Sequence, residues 1–169
     1  MSVSCSFRVP GEPVPQPRPK VSTRGGFARA YVDRKHPIHA YRESVALAAR
    51  LAKVPLTSGD VMLEVEFVFE RPKSHLTKTG LSSTAKPRPG PDVDNLYKGL
   101  ADALHGVAFQ DDSQVVRASQ TKRYAPRGMP AVTLVTITYL GGLHGETEAA
   151  NGRGNGQGRA NVGKRCVTG

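Results

Sequence analysis

The residues best suited to chemistry lie in Pro91-Asp92-Val93-Asp94-Asn95-Leu96-Tyr97-Lys98 and, after it, Phe109-Gln110-Asp111-Asp112-Ser113-Gln114-Val115. In an extended entry to a helix, Asp92 and Asp94 are two positions apart and project to the same side. Lys98 falls one helical turn beyond Asp94, on the face opposite Leu96, Leu100 and Leu104. Asp102 shares that wet face a turn later. Carboxylates gathered in this way suit a hard divalent cation such as Mg²⁺, which takes oxygen ligands and keeps several of its waters. A third ligand would come from Asp111 or Asp112, and the residues alone leave open which. A helix over Asp94–His105 is about 18 Å long, and the connector Gly106–Asp111 stretches to at most about 20 Å. The third acid therefore regains the helix N-terminus only if that connector runs back extended. Otherwise its place is taken by an acid from a second subunit.

Each of these acids has an ordinary explanation when taken singly: Asp94 as an N-cap, Asp92 as a turn residue after proline, Asp111-Asp112 as a polar loop. Their company argues against that. They follow directly on Arg71–Pro91, a long segment holding Arg71, Lys73, His75, Lys78, Lys86 and Arg88 and not one carboxylate. Long segments without regular structure in compact domains are usually functional or disordered. A second basic stretch, Arg18, Lys20, Arg24 and Arg29, is equally free of acids. Over the chain, 24 Lys and Arg against 14 Asp and Glu leave a formal charge of +10. Such an excess favours an anionic partner, above all nucleic acid.

The elements that must position these residues are legible from periodicity. Val3, Cys5, Phe7 and Val9 alternate with polar residues, as in a half-buried strand. Pro10–Pro19 carries five prolines and reads as a stiff extended connector. Gly25-Gly26 suggests a turn, with Phe27–Val32 as the second strand of a hairpin. Ile38, Tyr41, Val45, Ala48 and Ala52 recur at helical spacing until Val54-Pro55. Val61, Leu63, Val65, Phe67 and Phe69 make the clearest strand. The second helix, Asp94–His105, stops at Gly106. Gln114–Tyr124 and Ala131–Leu140 read as two antiparallel strands joined through Pro126-Arg127-Gly128.

The expected architecture is α+β: one small domain over 1–140, with a mixed or antiparallel sheet and two main helices. Residues 141–169, rich in Gly and Asn with scattered Arg and Lys, read as a flexible basic tail. One domain is what 169 residues support. No signal peptide or membrane-spanning run is recognisable, and Cys5 and Cys166 read as reduced thiols, so the expected setting is cytoplasmic.

Pro91-Asp92-Val93-Asp94-Asn95-Leu96, Lys98, Asp102-Ala103-Leu104 and Asp111-Asp112-Ser113-Gln114-Val115 together resemble the signature of the RusA family of Holliday junction resolvases. Gly11-Glu12-Pro13-Val14-Pro15-Gln16-Pro17-Arg18-Pro19-Lys20 is similar to the opening of those proteins, so the resemblance covers most of 3–140. It implies a homodimeric, Mg²⁺-dependent endonuclease of bacterial or phage origin, with Mn²⁺ as a substitute and no small-molecule cofactor. Such an enzyme nicks opposed strands of a four-way DNA junction. The family's metal-binding, catalytic triad would fall on Asp92, Asp94 and Asp112, and its catalytic lysine on Lys98. Arg18, Lys20, Arg71, Lys73, Lys86 and Arg88 would then contact DNA phosphates. Two other readings stand beside this one: a non-catalytic nucleic-acid-binding module, and a nuclease that prefers forks or flaps.

Overall fold

The computed structural model describes residues 3–22 and 26–141; residues 142–169, including Cys166 and nearly all of the expected tail, lie outside them. A four-stranded sheet is built from β1 (Val3–Pro10), β4 (Val61–Phe69), β5 (Val115–Tyr124) and β6 (Val132–Tyr139), in the order β1-β6-β4-β5. Helices α1 (Ile38–Leu51) and α2 (Val93–Leu104) pack on each other and on the sheet. A separate hairpin pairs β2 (Lys20–Ser22) with β3 (Arg29–Tyr31), as the Gly25-Gly26 turn signal led us to expect.

Alternation decides which face of the sheet is covered. Val61, Leu63, Val65, Phe67 and Phe69 of β4 are buried with Val135, Ile137 and Tyr139 of β6 and Phe7 and Val9 of β1. Against them lie Ile38, Tyr41, Val45 and Ala49 of α1 and Leu96, Leu100 and Leu104 of α2. The opposite face is mixed: Val68, Val132 and Leu134 line an apolar depression at one end, and hydroxyls pair at the other, Ser4 with Thr138 and Ser6 with Thr136, each at 2.9 Å. It also carries the Arg123–Glu66 ion pair at 2.5 Å.

The sheet is mixed, and one pairing differs from expectation. β5 and β6 are not hydrogen-bonded to each other. β4 lies between them, parallel to β5 and antiparallel to β6. The burial demands of the strands explain this. β4 and β6 each have one row of side chains wholly buried and take the interior of the sheet. β5 carries Arg117, Gln120 and Lys122 and is exposed along most of its length, a pattern that only an edge strand tolerates. The turn signal at Pro126-Arg127-Gly128 was right about a reversal. The segment 125–131 is long enough to step across one intervening strand, a span of about 10 Å.

The two helices and the proline connector meet closely at Gly99. A Cβ there would sit 2.9 Å from Ile38 Cδ1 and 3.3 Å from the Val14 carbonyl oxygen. The connector is tied to α2 by the Gln16 N–H, which donates to the Asn95 carbonyl at 2.8 Å. Arg42 of α1 donates to Gln16 Oε1 at 2.6 Å and forms an ion pair with Asp102. Asp102 is thus engaged by α1. Gly99→Val is expected to destabilise by about 1–3 kcal/mol through overpacking, read as a lower urea midpoint. Gly80→Val, at a position whose added Cβ meets nothing within 4 Å, should shift stability by less than about 0.5 kcal/mol.

Candidate active site

Asp92 occupies the N-cap position of α2 with an extended backbone, and its side chain makes no capping hydrogen bond. Its carbonyl takes up the Leu96 N–H at 3.1 Å, so the backbone starts the helix while the carboxylate remains exposed. Asp94 follows in the first helical turn, also exposed. Two carboxylates at a helix N-terminus repel each other, yet both gain from the positive end of the helix dipole. Lys98, one turn on, is exposed on the same side of the helix.

The edge strand β5 supplies what sequence reasoning missed. Gln120 Nε2 donates to Asp94 Oδ1 at 3.1 Å, and Lys122 Nζ donates to the Pro91 carbonyl at 2.5 Å. Gln120 Oε1 is buried with no hydrogen-bond partner among the described residues. A signal for these two residues was present. Gln120, Lys122 and Tyr124 alternate on the face of β5 that turns toward α2 and the basic loop, where an interior strand would carry apolar groups.

The second acidic segment is a single turn of 3₁₀ helix, Asp112–Gln114. Here the adjacent acids separate in role. Asp111 is the N-cap: its Oδ1 accepts the Ser113 N–H at 2.9 Å. Bonds from the Ser113 hydroxyl and backbone N–H hold its carboxyl below the ordinary value. Asp112 is exposed and has no bond of that kind among the described residues. Tyr97 of α2 registers Asp112: its phenol is pushed up first by burial and then by the Asp112 charge.

Gln114 anchors this turn. Its Oε1 accepts the N–H groups of Gln110 (2.7 Å) and Asp111 (2.8 Å), and its Nε2 donates to the carbonyls of Thr57 (3.0 Å) and Gly59 (2.7 Å). The side-chain amide is thus satisfied at both donors and at its oxygen, and it ties the acidic turn to the entry of β4.

The connector between α2 and this turn is folded, not extended. Val107 and Ala108 donate to the Leu104 carbonyl at 2.9 and 2.8 Å, and Gly106 donates to the Phe109 carbonyl at 2.8 Å. Among the described residues, no group of three His, Cys, Asp or Glu stands close enough together to hold a metal ion. Asp92 and Asp94 come together at the start of α2, and Asp112, whose charge acts on the Tyr97 phenol, completes no triad with them among the described residues.

The basic residues divide as well. Arg71 stacks on the Tyr124 ring, 4.4 Å from its centroid, and donates to the Lys86 carbonyl at 3.4 Å. It therefore helps to shape the loop. His75 meets the edge of the same ring. Lys73, Lys86 and Arg88 are exposed. Arg18 and Lys20 line a shallow cavity of about 290 Å³ on the hairpin side, with Tyr31, Lys35 and His36. Arg24 lies outside the described residues.

The family model for endodeoxyribonuclease RusA matches residues 10–137, which span the proline connector, the basic loop and both acidic segments. The chain belongs to the RusA endodeoxyribonuclease family. It is also 35% identical over 125 residues to the uncharacterized protein YqaN of Bacillus subtilis (strain 168), covering 70% of this chain and 87% of that protein. RusA membership makes the chain a DNA endonuclease of the Holliday junction resolvase type. No helix among the described residues is long and apolar enough to cross a membrane.

Two outcomes test the geometry of the acidic turn. Gln114→Leu leaves two N–H groups and two carbonyls without their partner and should cost about 1–3 kcal/mol in urea unfolding. The Asp111 cap makes a pH-dependent contribution, because its carboxyl is held below the usual 3.8 in the folded chain. That contribution is present above the unfolded value and is lost as pH falls through the folded one. The difference in unfolding midpoint between wild type and Asp111→Ala should therefore be fully developed at neutral pH and shrink below the ordinary carboxylate range.

Proposed function

We propose that this RusA-family chain resolves four-way DNA junctions by paired, symmetric, Mg²⁺-dependent nicks, acting as a homodimer. Asp92, Asp94 and Asp112 are its metal-binding acids and Lys98 its catalytic lysine. The observation that carries the reading is the division of labour among the carboxylates. Asp111 caps its own turn and Asp102 pairs with Arg42, whereas the carboxylates of Asp92 and Asp112 accept no hydrogen bond among the described residues and that of Asp94 is met only by Gln120. Exposed carboxylates left unpaired beside an acid-free basic loop fit a hydrated Mg²⁺, which is commonly held through one or two carboxylates with substrate phosphate and water completing the shell.

Once bound, the ion would supply charge neutralisation at the phosphoryl oxygens and a water acidic enough to attack phosphorus. The remaining work falls to side chains. Gln120 holds Asp94 in one orientation through its amide. Lys98 neutralises negative charge as it develops on the phosphoryl group. Departure of the 3′ oxygen leaves a 3′-hydroxyl and a 5′-phosphate. Lys73, Lys86, Arg88, Arg18 and Lys20 hold the duplex arms through phosphates, which sets affinity and salt dependence more than sequence choice.

The folded connector after α2 favours a site completed in trans, with Asp112 of one chain serving Asp92 and Asp94 of another. A twofold dimer would then present two such sites to a roughly twofold substrate.

The test is cleavage of a labelled four-way junction, with fork and duplex controls, in Mg²⁺, in Mn²⁺ and in EDTA. Paired opposed nicks in Mg²⁺ or Mn²⁺, none in EDTA, and a loss of roughly 100-fold or more in Asp92→Asn with binding retained are expected. Equal cutting of forks would replace resolution with a broader branch-nuclease activity. Mixing Asp92→Asn with Asp112→Asn protein reads the assembly: recovered cutting supports sites built in trans, and none refutes it.

A further inference from the structure

We infer that a cavity beside Asp92, walled by Lys86, Arg88 and Lys122, is a dedicated subsite for one backbone phosphate flanking the phosphate that is cut. The cavity is about 350 Å³ and is lined by residues 86–90, Asp92 and Lys122. Its lining holds three cationic residues against one acid. The inference rests on the nuclease reading only for the identity of the anion, a nucleic-acid phosphodiester.

Its walls are fixed before any ligand arrives. Pro87, Pro89 and Pro91 restrict the backbone on one side and have no N–H to offer a sheet. The carbonyls of this strip would lack partners, yet two of them are engaged: Lys86 O accepts from Arg71, itself stacked on Tyr124, and Pro91 O accepts from Lys122. Pro89 is buried, which roots the strip in the domain while Lys86 and Arg88 on either side of it stay exposed. A rigid wall loses little conformational entropy when it binds, which is the advantage of preorganisation.

Lys122 is the decisive residue. It stands on the edge strand, half-buried, with its Nζ at 2.5 Å from the Pro91 carbonyl. An ammonium group has three donors and the carbonyl takes one, so two remain for the cavity that Lys122 lines. A half-buried cation paired only with a neutral carbonyl is undercompensated, and a phosphate oxygen would complete it. Asp92 on the rim keeps this anion beside the metal-binding acids and off them. The subsite thus sets which phosphate lies at Asp92 and Asp94.

The experiment measures four-way-junction binding in EDTA, where no cutting occurs, for wild type, Lys122→Gln, Lys122→Arg and the exposed-loop variant Arg88→Gln. Binding is followed against salt and against junctions carrying a single neutral methylphosphonate within two nucleotides of the nick. Lys122→Gln and Arg88→Gln should each lower the slope of log affinity on log salt by about 0.9, one phosphate contact, and Lys122→Arg should restore it. One methylphosphonate position should weaken wild type while leaving Lys122→Gln unaffected, because the pair is already broken. Unchanged salt slopes, or methylphosphonate effects that add to the Lys122→Gln loss at every position, would overturn the subsite. Failure of wild type to cut in Mg²⁺ would sink the nuclease mechanism instead, and the salt slopes in EDTA would still read the subsite.

Discussion

The parallel pairing of β4 with β5 is the constraint from which the site follows. Antiparallel neighbours can be joined by a tight turn, but parallel neighbours need a crossover that carries the chain back to the starting end of the sheet. Here the crossover begins at Phe69, runs through the basic loop 71–91, descends along α2 and turns at Asp111–Gln114 before β5 begins. Every residue proposed for metal binding lies on it. The far end of β5 comes back to the start of α2, where Gln120 meets Asp94 and Lys122 meets Pro91. The polar loop, the carboxylates and the edge-strand lysine converge because one strand must run parallel to its neighbour.

Gln114 shows how a single buried amide can hold such a crossover in place. A loop that returns to a sheet edge has backbone N–H groups with no ladder to join, and buried ones are costly when unpaired. The Gln114 oxygen collects two of them, and its nitrogen closes on two carbonyls ahead of β4. With Gln114 and Asp111 committed to the turn, Asp112 can remain exposed. Adjacent acids of identical chemistry come to differ through hydrogen bonding alone. One is a structural cap with a lowered carboxyl pKa, and the other keeps its oxygens available.

The sequence carried much of this, for identifiable reasons. Strands β1, β4 and β6 and both helices were legible because one face of each is buried against a single core, and burial writes itself as a period of two or of 3.6 residues. Asp92, Asp94, Lys98 and the Asp111-Asp112 pair stand out as candidates because chemistry-bearing types recur at helical and strand spacing next to a segment without acids. The neighbour of β5 was not legible. Pairing partners are settled by competition for interior places in the sheet, and a turn signal at Pro126-Arg127-Gly128 reports a reversal, not which strand lies across from it. Which of Asp111 and Asp112 caps the turn was equally closed to residue types, since it depends on which side chain reaches the Ser113 N–H.

The polar residues on the inward side of β5 belong to a different order of information. An interior strand with Gln120 and Lys122 on its core face would bury an amide and a cation at a cost of several kcal/mol unless each found a partner. On an edge beside a helix N-terminus they find partial ones: Asp94 for the amide nitrogen, the Pro91 carbonyl for the ammonium. Partial satisfaction is what distinguishes a site from a core. Gln120 Oε1 accepts no hydrogen bond among the described residues, and Lys122 is left with donors beyond the one it uses. An ammonium with donors to spare retains affinity for the acceptor oxygens that a phosphate brings. In a chain with a formal charge of +10, the carboxylates are the minority species, and a site built on those proposed above would give the general attraction for DNA a particular place to act.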